Sequence, residues 1–406
     1  MLNALHSYCK AWKLTVNISK TKIMIFSRGK VVKIPSWHFG PEPLEVEYNY
    51  TYLGTIFNFN GNFNKAKEKQ ICQAKRAMHG LLSKARKLNL PPDIISHLFD
   101  VCIVPILLYG CEIWGFSDLT EIERVQLFFC KYILRLNRST ANCMVLGELG
   151  RLPIECLIKQ RMLNFWARLI SGKTSKLAHI VLMSQKYQHD VGTYKPKWLV
   201  CIKDMLDQIG LSYVWNADPE NIDTASLKSL FKEKVNDIEL QNWHSKINTY
   251  SHCVNYRIFK SKLHLEDYLT LLDPKNAISL CRFRCGNHKL PIVTGRYNKI
   301  DRQERKCKLC SSGDLGDEYH YIMCCSHFKK ERAALIRNRY SERPNTQKFN
   351  RLFNSTDPQE LTHLAKFTHI IMKKFKYENF RKNCPKRRTK KTNTKVPTKT
   401  KVKKTV

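Results

Sequence analysis

Apolar positions along this chain change period near residue 60, which divides it into a short β-rich start and a long helical remainder. Leu2, Leu5, Cys9 and Trp12 recur at helical spacing and predict a short amphipathic helix with Trp12 in the core. KTKIMIF, residues 20–26, then alternates, and LEVEYNYTYLGTIF, residues 44–57, is rich in β-branched and aromatic side chains, so strands and a hairpin are expected here. Asn64 to Lys87 reads as a basic amphipathic helix. Asn89-Leu90-Pro91-Pro92 breaks it, and Pro92 is suited to open the next helix, expected to carry VCIVPILLYG, residues 101–110, to about Trp114 in the core. SDLTEIERVQLFFCKYILRL, residues 117–136, starts with small polar and acidic residues and continues with apolar ones at 122, 125, 128, 129, 132 and 133, which predicts a further helix. IECLIKQRMLNFWARLI, from Ile154, predicts another; residues 171–260 hold more helical stretches between polar loops, and a basic helical stretch ends near Phe380. The expected fold class is mainly α (α+β), with a small β portion near the N-terminus and several modules rather than one core.

Charge changes the picture. Seventy Lys and Arg against 34 Asp and Glu leave +36, an excess that repels itself unless a polyanion neutralises it. From Arg381 to Val406 there are twelve Lys or Arg and no acid, so about +24 remains on the preceding residues and the body is basic too. That tail has almost nothing to bury and is expected to be disordered, and PKRRTKK, residues 385–391, could serve as a nuclear import signal. RNA or DNA is the expected partner. The longest apolar run, residues 101–110, is too short to span a bilayer, which argues against a membrane role. Sixteen cysteines in 406 residues fall well below the density of a disulfide scaffold, and most lie singly in apolar contexts. With no signal peptide, a reducing intracellular compartment is expected.

The exception among the cysteines is CKLCSSGDLGDEYHYIMCCSHFKKER, residues 307–332. Cys307, Cys310, His320 and Cys325 are spaced C-x2-C-x9-H-x4-C, and three thiolates with one imidazole suit a tetrahedral Zn2+. Cys324 adjoins Cys325 and is the alternative fourth ligand; Cys325 is favoured. The glycines and aspartates of SSGDLGD let the ligand pairs close on each other, and Glu318 is placed to orient the His320 imidazole. With every position filled by protein, such an ion would be structural, ordering a small module that lacks a core of its own.

The stretches LNALHSYCKAWKLTVNISKTKIMIF (2–26), TYLGTIF (51–57), ILLYGCEIWG (106–115), GELGRLPI (147–154), CRFRCGNHKLPIVTGR (281–296) and the Cys/His segment, in that order, resemble the C-terminal part of reverse transcriptases of non-LTR, LINE-like (jockey-type) retrotransposons. The resemblance implies the end of a palm with a primer-grip-like hairpin at 1–60, a helical thumb at 61–150, a helical connector at 151–300 and a zinc knuckle at 301–335. A basic helical segment at 336–380 and the basic tail at 381–406 complete the expected organisation. It also implies nucleic-acid contacts by Lys20 and Lys22 in the lysine-bearing palm segment and by Tyr52, Leu53 and Gly54 in the hairpin. Arg284, His288 and Arg296 form a polar group able to contact phosphates, although they could equally cap helices. Lys20 and Lys22 could also be solvated strand residues, and Tyr52 a packing aromatic.

The departure from that family concerns catalysis. Polymerase chemistry needs carboxylates that hold two metal ions, and in this family the main pair is an Asp-Asp located before the segment with which this chain begins. No Asp-Asp dipeptide occurs in these 406 residues. No catalytic residue is therefore assigned. The function expected is nucleic-acid binding by a reverse-transcriptase fragment, against two alternatives: a part of an active reverse transcriptase completed by upstream sequence or in trans, and a zinc-stabilised helical scaffold for proteins.

Overall fold

The structure is a computed structural model and describes residues 1–27, 35–173 and 175–383, with side chains left aside at 221 and 377–383. The tail beyond Asn383, including PKRRTKK, lies outside the described residues. The fold is mostly helical, with all five strands among the described residues near the N-terminus.

Helix α1 (Leu2–Ala11) precedes strands β1 (Lys22–Ile23), β2 (Trp37–Phe39), β3 (Glu42–Val46), β4 (Asn49–Tyr52) and β5 (Thr55–Asn58). β3 lies between β1, with which it runs parallel, and β2, with which it runs antiparallel. β4 and β5 form a separate hairpin in which Tyr52 faces Thr55 across a turn of two residues, Leu53 and Gly54. Both turn residues have positive φ, +45° and +84°, as a turn that follows the strand twist requires. Cys9, Phe39 and Leu44 make a small core of their own. Of the expected α1 face only Cys9 is buried: Leu5 is half exposed and Trp12 stands in solvent at 68 % exposure, so Trp12 is not a core residue.

Helix α2 (Asn64–Lys87) has the bounds its pattern predicts, because Ala66, Gln70, Ala74, Met78, Leu82 and Ala85 form one buried stripe at spacings of three and four. Lys84, Arg86 and Lys87 meet the negative end of its dipole, and Asn89 at φ +51° lets Leu90 N–H reach back to Ala85 O. The apolar run that follows is not one helix. It divides into α3 (Pro92–Cys102), α4 (Val104–Leu107) and α5 (Cys111–Trp114), because Pro105 has no N–H for the ladder and Gly110 turns the chain at φ +71°. Trp114 is fully buried, as expected.

The chain continues through α6 (Thr120–Ile133), α7 (Asn142–Glu148), α8 (Ile154–Ile170), α9 (Lys176–Val191), α10 (Lys197–Gln208) and α11 (Thr224–Thr249). Short helices α12 (Tyr256–Phe259) and α13 (Tyr268–Leu271) lead to α14 (Pro274–Arg284) and α15 (Pro291–Tyr297). After the Cys/His segment come α16 (Lys329–Leu335), α17 (Asn338–Ser341), α18 (Thr346–Phe353) and α19 (Pro358–Asn383). One contiguous cluster of buried side chains extends from Ala74 to Phe375, so the helices from α2 onward and the Cys/His segment share a core.

GELGRLPI and CRFRCGNHKLPIVTGR meet inside this core. Glu148 accepts from Arg284 Nε at 3.0 Å, and the other end of the Arg284 guanidinium pairs with Glu266, which also pairs with Lys260. Gly150 sits at φ +63° where a Cβ would lie 2.3 Å from Leu265 N, so the backbones of 149 and 265 can approach only with glycine there. Among the described residues no helix is long and apolar enough to cross a membrane.

Candidate metal centre and the placement of the predicted contacts

The Cys/His segment is shaped by its backbone. Cys307 N–H donates to Asp314 O and Gly316 N–H to Arg305 O, which folds SSGDLGD into a narrow loop that returns the chain to its start. Residues His320–Cys324 form a π-helical turn, closed by Cys325 N–H to His320 O at 2.8 Å. A π turn holds one residue more than an α turn, and here it sets His320 and Cys325 on the same side. Buried Arg332 fastens the turn by donating to Ile322 O and Cys325 O.

Cys307, Cys310, His320 and Cys325 thereby converge, with their ligand atoms all within 4.8 Å of one another. Cys307 Sγ lies 3.9 Å from Cys325 Sγ, and Cys310 Sγ lies 3.4 Å from His320 Nε2. Tetrahedral bonds of about 2.3 Å to sulfur and about 2.0 Å to imidazole nitrogen give S–S edges near ~3.8 Å and S–N edges near ~3.5 Å. The four residues thus form a group that could hold a metal ion. Cys325, fully buried, belongs to it, whereas exposed Cys324 does not.

Burial opposes ionisation of Cys310, yet hydrogen bonds from Ser312, Cys307 and His320 outweigh it and bring its thiol down to about 6. Cys325 is pushed up to about 12, chiefly by burial. A cation held between them would favour the thiolate at both. Glu318 does not orient His320: its oxygens accept from His288 Nε2 at 2.9 Å and from Asn255 Nδ2 at 2.5 Å. The carboxylate beside His320 Nδ1 is that of Asp314, at 3.3 Å but without hydrogen-bond geometry, while Asp317 accepts from the His320 backbone N–H.

Nor is this segment a module without a core. Tyr321, Ile322, Met323 and Phe328 are buried, with Tyr321 against Phe375 and Phe328 against Phe367 of α19.

The expected nucleic-acid contacts fall in three settings. Lys20 is exposed, and Lys22 lies between Glu45 and Glu47, whose charges match it locally. Tyr52 and Leu53 are exposed at the hairpin tip, which is pinned by Tyr109 Oη donating to Leu53 O at 2.7 Å and Lys69 Nζ to Gly54 O at 2.9 Å. Arg284 cannot contact phosphate as placed: its side chain is wholly buried, engaged by Glu148, Glu266 and the Phe353 carbonyl. His288 and Arg296 line a cavity, His288 buried and Arg296 partly open. Glu148, Glu266 and Lys260 were not legible as a site, because nothing local marks a glutamate whose partner lies 136 residues away.

Comparison with known proteins adds a direction. The chain is 26 % identical over 136 residues to a probable RNA-directed DNA polymerase from transposon BS of Drosophila melanogaster, a match covering 31 % of this chain and 14 % of that protein. It is also 26 % identical over 170 residues to an uncharacterised transposon-derived protein of Caenorhabditis elegans, covering 41 % of this chain and 59 % of the relative. The matches thus span less than two thirds of either relative. These are distant, partial similarities to transposon-related proteins. No family model matches the chain, and no solved structure matches it.

Proposed function

We propose that this chain is the nucleic-acid-binding C-terminal portion of a non-LTR retrotransposon reverse transcriptase, and that its Cys/His group holds a structural zinc ion. The observation that carries this reading is the charge: +36 over the chain, of which about +24 lies before the basic tail. A phosphate polymer neutralises such a surface and releases its own counterions in doing so. The similarity to a transposon RNA-directed DNA polymerase agrees with it. Zinc suits the group because its filled d shell accepts the tetrahedral three-sulfur, one-nitrogen set without geometric preference of its own. Bound there, the ion would supply order and no activated water.

Binding of labelled RNA and DNA across a salt series tests this. The slope of log K against log salt should be steeper than about −4, which corresponds to roughly four or five phosphate contacts. A flat response would leave the helical-scaffold reading in its place. A second reading, a piece of an active polymerase completed by further sequence or in trans, is favoured by the much greater length of the Drosophila relative. Primer extension separates the two: the purified chain alone should yield no product on any template.

A further inference from the structure

A cavity of about 660 Å³ opens where the loop after α6, the α14–α15 turn and the C-terminal half of α19 meet. Its wall carries Arg282, Lys289, Arg296, Arg302, Lys373 and Lys376 against a single carboxylate, Glu318. That carboxylate is already engaged by His288 and Asn255. Among the described residues, none of Arg282, Lys289, Arg296, Lys373 and Lys376 has a carboxylate partner, and none is among those with an interaction left unnamed. Some arginines elsewhere in the described residues are matched, as Arg151 is by Asp100 and Arg337 by Asp357, and others, such as Arg138 and Arg351, are not, so what sets the cavity apart is that several unmatched cations share one concavity. Cations left unmatched around a concavity focus a positive field into it, and a phosphate is the group that satisfies several of them together.

The rim adds an aromatic surface. Tyr297 is 62 % exposed, has the Arg296 guanidinium 5.6 Å from its ring centroid, and is tethered through its hydroxyl to Ser139 Oγ at 3.1 Å. A tethered, solvent-facing ring beside a phosphate-binding concavity is what an unstacked base needs. The volume lies in the range of small-ligand pockets, on the order of one nucleotide with its flanking phosphates. A duplex would first have to unpair and unstack a base to insert one here, a penalty that a single strand does not carry.

We propose that this cavity seats an unpaired nucleotide of a single strand, with phosphates on the Arg282, Lys373 and Lys376 side and the base against Tyr297. The assignment rests on the nucleic-acid reading above and gives it a location and a preference for single strands.

The test uses the full chain and fluorescence anisotropy with labelled twenty-nucleotide oligo(U), oligo(dT) and a duplex of equal length. Lys373→Ala/Lys376→Ala should weaken single-strand binding roughly 10- to 100-fold, reduce the salt slope by about two, and weaken duplex binding less than about threefold. Tyr297→Ala should weaken single-strand binding roughly 5- to 100-fold with the slope unchanged, since it removes stacking and no charge. A control pair on α2, Lys75→Ala/Lys84→Ala, alters exposed lysines away from the cavity and should not discriminate strand from duplex. The oligo(U) and oligo(dT) arms tell which sugar the cavity takes, and selective loss with either supports the assignment. Equal losses for strand and duplex, or no loss while the wild-type chain still binds, would overturn the cavity and leave the general reading standing. Failure of the wild-type chain to bind any of the three would overturn both.

Discussion

Replacing Arg284 by Met tests whether the meeting of the two sequence motifs holds the core together. The guanidinium is wholly buried between two carboxylates, Glu148 and Glu266, and lies over the rings of Phe259 and Tyr268 at 4.5 and 5.1 Å. With Lys260 the cluster contains two cations and two anions. Methionine roughly fills the volume but leaves one carboxylate uncompensated in the interior, a change that costs about 3–5 kcal/mol. Against a total stability on the order of 5–15 kcal/mol this is a large fraction. Urea unfolding followed by tryptophan fluorescence should show the loss, because Trp243 donates to Cys143 O on α7 and lies against Gly147. Glu148→Gln/Arg284→Met removes one charge of each sign and should be less destabilised than the sum of its single variants by about 1–3 kcal/mol. Any folded Arg284→Met protein should bind nucleic acid with the wild-type salt slope. A loss of stability below about 1 kcal/mol, or a slope reduced by about one, would refute the placement of this arginine.

Three further outcomes are expected. Metal analysis of the purified protein should find one zinc per chain, lost in Cys310→Ser and retained in Cys324→Ser; the reverse would move the fourth ligand or empty the group. Burial pushes the Glu123 carboxyl up to about 7 although Ile154 N–H donates to it at 2.9 Å. The native state therefore holds a proton that the unfolded chain, near 4.5, has released, and stability falls as pH rises from about 4.5 to 7. Glu123→Gln should gain about 1–3 kcal/mol more at pH 8 than at pH 5 in paired melting curves, and an equal gain at both would refute the cause. Leu53→Asn supplies the Asn-Gly pair that a two-residue hairpin turn favours, at a site 73 % exposed, and should slow amide exchange at Tyr52 and Thr55 by about 1 kcal/mol; faster exchange would contradict it.

Sequence pattern carried the long elements because their signals are local. The α2 stripe repeats over six turns of one helix, and Ile154–Ile170 coincides with the run that predicts it. In the apolar run the hydrophobic signal favours one continuous helix, while Pro105 and Gly110 interrupt the ladder and leave three short ones. Trp12 misled for the opposite reason: its spacing fits α1, while the core it would join consists of only three buried residues. The strand expected over residues 20–26 pairs only at Lys22 and Ile23, since register belongs to β3 and not to the segment itself. In the Cys/His segment the convergence of Cys307, Cys310, His320 and Cys325 was legible, because their spacing is local. The partner of Glu318 was not, because His288 arrives from a different part of the chain. The same holds for Arg284, whose charge looked available until the fold brought Glu148 to it.

The docking of Tyr321 and Phe328 against α19 means that the Cys/His segment is a rivet and not a detachable finger. Excised as a peptide over 301–335 it would turn four large apolar side chains, Tyr321, Ile322, Met323 and Phe328, toward water. If the group holds an ion, its removal from the intact protein would loosen the seat of the terminal helix, and chelator sensitivity would then appear as cooperative unfolding of the whole body.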